Sequence, residues 1–273
     1  MNRIRPPAVA GQFYPAFPGL LTEAIQSYLD AVPVSTTSAG TEAQPPKALI
    51  VPHAGYIYSG PIAAYAYEQL RPFAQSLRRI VLLGPAHRVY FEGIAAPTVA
   101  GFETPLGIVP VDQDAMKSLS AFPRIVWSDA PHRDEHSLEV QLPFLQSIIP
   151  EFSVIPLVIG EVEASIVSEV LECLWGSSET LFVISSDLSH YLTYQDANLL
   201  DHRTCEAIRQ LQPDAIADEM ACGRTAVKAL LQAAKRHGLR PRLLDYRNSG
   251  DTAGSRDRVV GYTAFAFDED RHS

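Results

Sequence analysis

The chain contains no apolar stretch of 18 or more residues and no run rich in lysine and arginine. The first absence disfavours a membrane-spanning helix, which needs about 20 apolar residues. The second, with 31 acidic against 22 basic side chains, disfavours binding to nucleic acid or to an anionic membrane. Residues 1–7 also lack the apolar core of a signal peptide. We therefore expect a cytoplasmic protein that binds neither nucleic acid nor membrane.

Cysteine is scarce, and no Cys-x-x-Cys pair occurs. An odd, unpaired set fits a reducing compartment and excludes a structural zinc site built from cysteines. We expect packing roles, most clearly for Cys173, which lies in an apolar segment. A nucleophilic role is disfavoured because no histidine is paired with a cysteine in sequence. The three residues are Cys173, Cys205 and Cys222.

Short apolar runs alternate with segments of helical periodicity, in a chain whose length and 47% hydrophobic share suit one α/β domain over residues 1–273. The alternation predicts a mostly parallel central sheet flanked by helices. Strands are expected at 47–51, 80–83, 154–159 and 181–184, with an edge strand at 93–99, an edge hairpin or loop at 101–111 and an antiparallel strand at 258–267. Helices are expected at 18–29, 62–70 (beginning at Gly60-Pro61), 136–149, 166–174 and 200–237 with breaks at Pro213 and Gly223, and a loop at 34–46.

Three of the predicted strands end at a histidine or a carboxylate. His53 follows the first strand, His87 follows the second, and Asp187 and His190 follow the strand at 181–184. In an open α/β sheet the ligand crevice lies beyond the carboxyl ends of the strands, so these groups converge there. The pattern predicts a metal site with His53 and His87 as ligands. The alternative is that each histidine only donates a hydrogen bond to a loop carbonyl.

Asp187 and His190 stand three residues apart and can share one turn, an arrangement suited to acid/base catalysis. The alternative is a helix start, with Ser186 or Asp187 as N-cap and His190 in solvent. A serine nucleophile here is disfavoured because the Gly-x-Ser-x-Gly motif is missing.

The segment 134–139 is dense in charge and precedes an apolar helical run. Asp134 can cap that helix, which would place Glu135 and Glu139 one turn apart on a solvated face. Alternatively, Glu135 or His136 serves in catalysis as a partner that fixes the tautomer of a metal-bound imidazole. The sequence leaves both interpretations open.

A third ligand is expected from the polar loop 248–254, where Asp251 can reach into the crevice. A plain turn is the alternative. Two imidazoles and one carboxylate suit Fe(II) with open positions, although zinc hydrolases use the same set. The remaining histidines lack such settings and are expected on the surface: His132, His202, His237 and His272.

Six motifs follow one another across nearly the whole chain, at residues 5–15, 52–56, 83–87, 134–139, 185–190 and 260–262. Taken together, they resemble the Memo family (mediator of ErbB2-driven cell motility), including its prokaryotic members. The resemblance implies a fold like the class III extradiol dioxygenases (LigB-like), which hold Fe(II) with two histidines and a carboxylate. It implies His53 and His87 as ligands and His190, beside Asp187, as acid/base. Some relatives carry a cysteine before the last strand, where this chain has Asp251 and Thr252.

Two functions are compatible with these residues. The first is a metal-dependent oxidoreductase with Fe(II) or copper, zinc being a further option, that acts on a small substrate. The second is a binding module that uses the same pocket for a peptide or metabolite, with Tyr14, Tyr56 and Tyr58 as its aromatic wall. The resemblance also implies a pathway link to radical-SAM and AMMECR-type proteins.

Overall fold

The computed structural model of the protein describes residues 3–33 and 44–269. The strands in these ranges are β1 (Ile4–Arg5), β2 (Ala48–Val51), β3 (Arg79–Pro85), β4 (Ile94–Ala96), β5 (Gly101–Thr104), β6 (Gly107–Pro110), β7 (Ile125–Trp127), β8 (Ser153–Ile159), β9 (Thr180–Ser185), β10 (His190–Leu192), β11 (Arg240–Asn248) and β12 (Val259–Asp268). The α-helices are α1 (Pro18–Asp30), α2 (Tyr56–Glu68), α3 (Gln113–Ser118), α4 (Ala130–Arg133), α5 (Leu142–Ile148), α6 (Ala164–Cys173), α7 (Tyr194–Arg209) and α8 (Arg224–His237). No helix in the described ranges is long and apolar enough to cross a bilayer.

The central sheet is mixed. Its order is β10-β12-β2-β9-β3-β8-β4-β7, with β11 paired to β12. The middle strands β2, β9, β3 and β8 run parallel, as their apolar runs predict. The expectation of a mostly parallel sheet is nevertheless wrong, because β12 is antiparallel to β2, β10 and β11, and β4 is antiparallel to β8. The strand β11 is polar and half-exposed, so no apolar run marks it in the sequence.

Burial explains why the middle strands are continuously apolar. Every residue of β2 and β9 is buried, because helices cover the sheet. The helix α2 packs on β2 and β12, and α1 packs on α2 and α5 through Leu21, Ile25 and Leu29. The helices α6 and α8 pack on each other, and α8 also packs on β3 and β9. The parallel middle strands end on one side of the sheet, and His53 and His87 lie just beyond β2 and β3 there.

The start of α2 differs from the prediction. The helix begins at Tyr56 and carries Pro61 inside it, whereas Gly60-Pro61 was expected at its N-terminus. Gly60 serves helix packing instead: a Cβ atom there would lie 2.7 Å from the ring of Tyr28 on α1. The glycine therefore marks a close approach of two helices.

Other boundaries also differ. The helix expected at 136–149 is a 3₁₀ turn (Glu139–Gln141) followed by the shorter α5, since polar contacts hold residues 135–139 outside a helix. The strand expected at 93–99 exists as β4 but lies between β8 and β7, so the edge position is wrong. The hairpin at 101–111 is confirmed as β5 and β6, which form a separate sheet with β1. Residues 34–43 of the expected loop lie outside the described residues.

Candidate metal centre

Three histidines lie close together beyond the carboxyl ends of the parallel strands. His53 lies two residues beyond β2, His87 lies two residues beyond β3, and His136 comes from the segment before α5. The ring centroids are 5.2 Å apart for His53 and His87, 5.5 Å for His53 and His136, and 4.7 Å for His87 and His136. One possible ligand atom from each residue lies within 4.8 Å of the other two. His53, His87 and His136 together could therefore hold a metal ion.

The protonation of His53 follows from the hydrogen bonds of Ser185. The Ser185 hydroxyl donates to the Ser137 carbonyl (2.5 Å), which uses its single proton. The His53 Nδ1 atom, 2.9 Å from the Ser185 Oγ atom, must therefore be the donor in that contact. This leaves the Nε2 atom of His53 without a proton, so its lone pair is available to a metal or to the neighbouring Cys222 thiol.

A buried amide supports the same arrangement. The Gln141 side chain donates through Nε2 to the Pro52 carbonyl (2.9 Å) and to the Ser185 Oγ atom (2.7 Å). Its Oε1 atom accepts a hydrogen bond from the Tyr67 hydroxyl (2.7 Å), which fits the same orientation. Burial, with the neighbouring imidazoles, holds the pKa of His53 well below its usual value. The imidazole is therefore neutral at pH 7.

Glu135 orients His87. Its Oε1 atom accepts the Nδ1–H of His87 (2.9 Å), and its Oε2 atom accepts the backbone N–H of His87 (2.6 Å). The Oε1 atom also accepts the backbone N–H groups of His136 (2.9 Å) and Ser137 (3.0 Å). Burial alone would raise the pKa of Glu135, but the contacts with His87 and the backbone outweigh it and lower the pKa to about 2. An ionised carboxylate on the outer nitrogen of an imidazole is the contact that the tautomer-fixing hypothesis requires.

His136 carries an unused ring nitrogen. Its ring stacks on that of His87 and lies 4.7 Å from the ring of Phe13. The buried Nδ1 atom lies 3.2 Å from Glu135 Oε1, but it has no hydrogen-bond partner in the described part of the chain. Burial lowers the pKa of His136 to about 4, so this imidazole is also neutral at pH 7. A set of neutral imidazoles suits iron, copper and zinc, and the residues present therefore fit such a metal.

Asp187 supports the His53 loop. The carboxylate lies two residues beyond β9 and accepts the backbone N–H of His53 (2.7 Å). Burial raises the pKa of Asp187 to about 7 despite that hydrogen bond. His190 is exposed at the start of β10, where it pairs with Val260 of β12. No helix begins at residues 186–190, so the helix-start interpretation is wrong: α7 begins later, and Thr193 caps it.

Asp251 lies in a hydrogen-bonded turn. Its carboxylate accepts the Tyr194 hydroxyl (2.7 Å) and the backbone N–H of Asn248 (3.1 Å). The three-histidine cluster forms without it. Asp251 as the third ligand therefore stays a prediction, and His136 is the structural alternative.

Cys222 is a site residue that sequence reasoning missed. Its Sγ atom lies 3.2 Å from the Nε2 atom of His53 and 3.7 Å from the Asp187 carbonyl oxygen. Burial raises the pKa of Cys222 to about 12, so the thiol is protonated at pH 7. Its position before α8, far from any histidine in sequence, gives no signal of this contact.

Glu139 is buried, as is Glu135, so the interpretation of these two residues as a solvated helix face is wrong. It forms an ion pair with buried Arg5, whose Nη1 atom lies 2.5 Å from Oε2. It also accepts hydrogen bonds from the N–H groups of Ala8 and Val9 and from the Tyr14 hydroxyl. These contacts fasten the N-terminal segment to the segment that carries His136.

Two placements of single residues also differ from expectation. His132 is buried, with its Nε2 atom 3.0 Å from the Ala95 carbonyl oxygen, whereas a surface position was expected. Cys173 is exposed at the end of α6, so its expected packing role is wrong. His202 and His237 are exposed as expected, and His272 lies outside the described residues.

An α/β fold that gathers three imidazoles beyond the carboxyl ends of its parallel strands defines a candidate metalloprotein. The family profile described as "Memo-like protein" matches residues 5–266. A "MEMO1 family protein" of Nitrosopumilus maritimus is 34% identical over 97% of this chain and 99% of the relative. Proteins of the same description are 36% identical in Aeropyrum pernix (96% and 99% covered) and 34% identical in Aquifex aeolicus (97% and 99% covered). The chain belongs to the Memo family.

Proposed function

We propose that the protein holds Fe(II) or copper on His53, His87 and His136 and acts as a metal-dependent oxidoreductase on a small substrate, in a fold related to the class III extradiol dioxygenases. The observation that carries this proposal is the convergence of three ligand nitrogens within 4.8 Å. When bound, such a metal supplies one-electron redox chemistry and open positions for ligands. Zinc, which suits the same imidazoles, is the redox-inactive alternative.

The surrounding residues prepare the ligands. Ser185 and Glu135 each accept the Nδ1–H of one imidazole, which directs the Nε2 lone pairs of His53 and His87 toward the metal. Asp187 holds the backbone of the His53 loop. His190, exposed at the edge of the site, exchanges protons between substrate and solvent as the acid/base group.

The first test is metal content, measured by elemental analysis on protein purified without oxygen. We expect about one iron or copper ion per native chain, and its loss from His53→Ala, His87→Ala and His136→Ala. His202→Ala is the matched control, because His202 is exposed on α7 outside the cluster. Asp251→Ala decides between the two candidates for third ligand. A native chain that takes up no metal, even after incubation with Fe(II), would refute the proposal and favour the binding module.

The second test separates turnover from binding. The metal-loaded protein is placed in an oxygen electrode with a panel of small reductants. We expect oxygen consumption that is lost in His190→Ala while the metal content stays unchanged. Consumption that survives this substitution would remove His190 from the reaction.

A further inference from the structure

A cleft of about 400 Å³ opens beside the histidine cluster. His87 lines it, and so does Cys222, whose sulfur contacts His53. The walls are the segment after β3, the end of β8 and the start of α8: residues 85–91, 159–161 and 222–226. The volume is that of a small-molecule site. A ligand in this cleft would lie next to the candidate metal ligands.

Two arginines line the cleft, although the chain carries a net charge of −9. Arg88 has neither a hydrogen-bond partner nor an ion-pair partner in the described ranges, and its charge is close enough to lower the pKa of His136. Arg224 uses only its Nε atom, which donates to Asp218 Oδ1 (2.8 Å). Its terminal nitrogens have no acceptor among the described residues. Two guanidinium groups with unused donors are suited to a carboxylate.

The start of α8 adds donors on the same wall. The N–H groups of Thr225 and Ala226 have no acceptor in the described part of the chain, and both residues line the cleft. The first turn of this 14-residue helix contains no acidic residue, and Gly223 at the N-cap offers no side-chain cap. These free amides reinforce a preference for negative charge that the arginines establish.

One carboxylate limits the charge of the ligand. Glu161 also lines the cleft, where its backbone N–H donates to the Phe91 carbonyl oxygen (2.9 Å). Phe91, Val89 and Ile159 supply apolar surface. A second negative charge near Glu161 would be repelled. The cleft therefore suits one anionic group joined to an apolar body.

We infer that the cleft binds a small monocarboxylate with an apolar or aromatic body, whose carboxylate pairs with Arg88 and Arg224 and whose body extends toward His87. This inference names the substrate class of the proposed oxidoreductase and rests on that function. Binding of the carboxylate itself needs only the arginines, so it is testable without metal.

The test is calorimetric titration of the metal-free full chain with benzoate, phenylacetate and hexanoate, each beside its neutral amide. We expect at least one acid to bind tenfold or more tightly than its amide, because charge-assisted hydrogen bonds are lost in the amide. Arg88→Gln and Arg224→Gln should each weaken that acid about tenfold. Arg209→Gln, which alters an exposed pair on α7, is the matched control. Thermal unfolding checks that each variant is folded.

Equal binding of acids and amides, no binding of any acid, or arginine variants that bind like the control would each overturn the inference. These outcomes are independent of metal content. Metal loss from the histidine variants with no acid preference would therefore retain the proposed function and refute the substrate class. Acid preference in a chain that takes up no metal would refute the oxidoreductase and leave a carboxylate-binding site.

Discussion

Replacing Glu135 with glutamine tests whether this carboxylate organises the site. Glu135 is buried and accepts four N–H groups: two from His87 and one each from His136 and Ser137. A glutamine keeps the shape but turns one oxygen into a donor. The favoured orientation keeps oxygen at the Oε1 position, because three of the four donors point there. The backbone N–H of His87 then faces an amide NH₂ group.

The loss of stability in Glu135→Gln can be estimated from these contacts. An unpaired buried donor costs about 1–3 kcal/mol, and three hydrogen bonds to a neutral acceptor are each weaker by about 1 kcal/mol than to a carboxylate. Removing a buried charge offsets part of this loss. The pKa of Glu135 gives a second value for this loss. Its lowering from 4.5 to about 2 means that the fold stabilises the ionised form by about 3 kcal/mol. We therefore expect Glu135→Gln to lower the free energy of unfolding by about 3 kcal/mol at pH 7.

The assay is urea unfolding of the metal-free protein, followed by circular dichroism. Because the folded pKa is depressed, the stabilisation is present above pH 4.5 and is lost as the pH falls toward 2. The difference between the native chain and the variant should therefore shrink at pH 3. Glu163→Gln, an exposed position with no cap hydrogen bond, should change stability by less than about 0.5 kcal/mol. A loss below about 1 kcal/mol for Glu135→Gln, or one that is equal at both pH values, would refute the reasoning.

Three further substitutions test separate contacts. Burial raises the pKa of Asp201 to about 6, so the folded chain binds more protons than the unfolded chain between about pH 4 and 6, and stability falls as the pH rises through that range. Asp201→Asn should therefore gain about 3 kcal/mol over the native chain at pH 7 and nothing at pH 4. Parallel profiles of urea stability against pH for the two chains would contradict this. Ser185→Ala leaves the Nδ1–H of His53 without its acceptor. It should weaken Co(II) binding about 10–100-fold in a spectroscopic titration. Unchanged affinity would exclude the Ser185 hydroxyl as a group that orients His53. Gly84→Ala would place a Cβ atom 2.8 Å from the Ser137 hydroxyl and should lower the free energy of unfolding, followed by thermal unfolding, by about 1–3 kcal/mol. The control is Gly19→Ala, where nothing lies within 4 Å of the added Cβ atom. Equal stability of the two variants would show that the site of Gly84 accommodates a methyl group.

The middle of the sheet could be predicted because burial on both faces requires continuous apolar runs. The strands β2, β3, β8 and β9 are each marked in this way. The strand β11 could not be predicted from such a run, since all but the last of its residues are half-exposed or exposed, in no regular order. That end of the sheet is antiparallel because β12, predicted as an antiparallel strand, pairs in this direction with β2, β10 and β11. An apolar run thus identifies a buried strand, but it does not identify a polar strand such as β11 that pairs at the side of the sheet.

Two site histidines could be predicted for the same reason. His53 and His87 each lie two residues beyond a buried parallel strand, and parallel strands that pair in register end at one edge. His136 has no such anchor. Its position depends on how residues 134–141 return to the sheet after a long connection. Cys222 depends in the same way on the approach of α8.

Two buried acids hold residues 134–141 in place, and the sequence does not reveal this role. Glu135 and Glu139 stand one helical turn apart, which is also the spacing of a solvated helix face. In the structure one binds His87 and the other pairs with Arg5, so the segment between them is held without forming an α-helix. The partner of each acid lies about 50 or more residues away in sequence, beyond the reach of any local pattern. Charged residues that build a site and charged residues that only face water therefore look alike in sequence until the fold brings their partners to them.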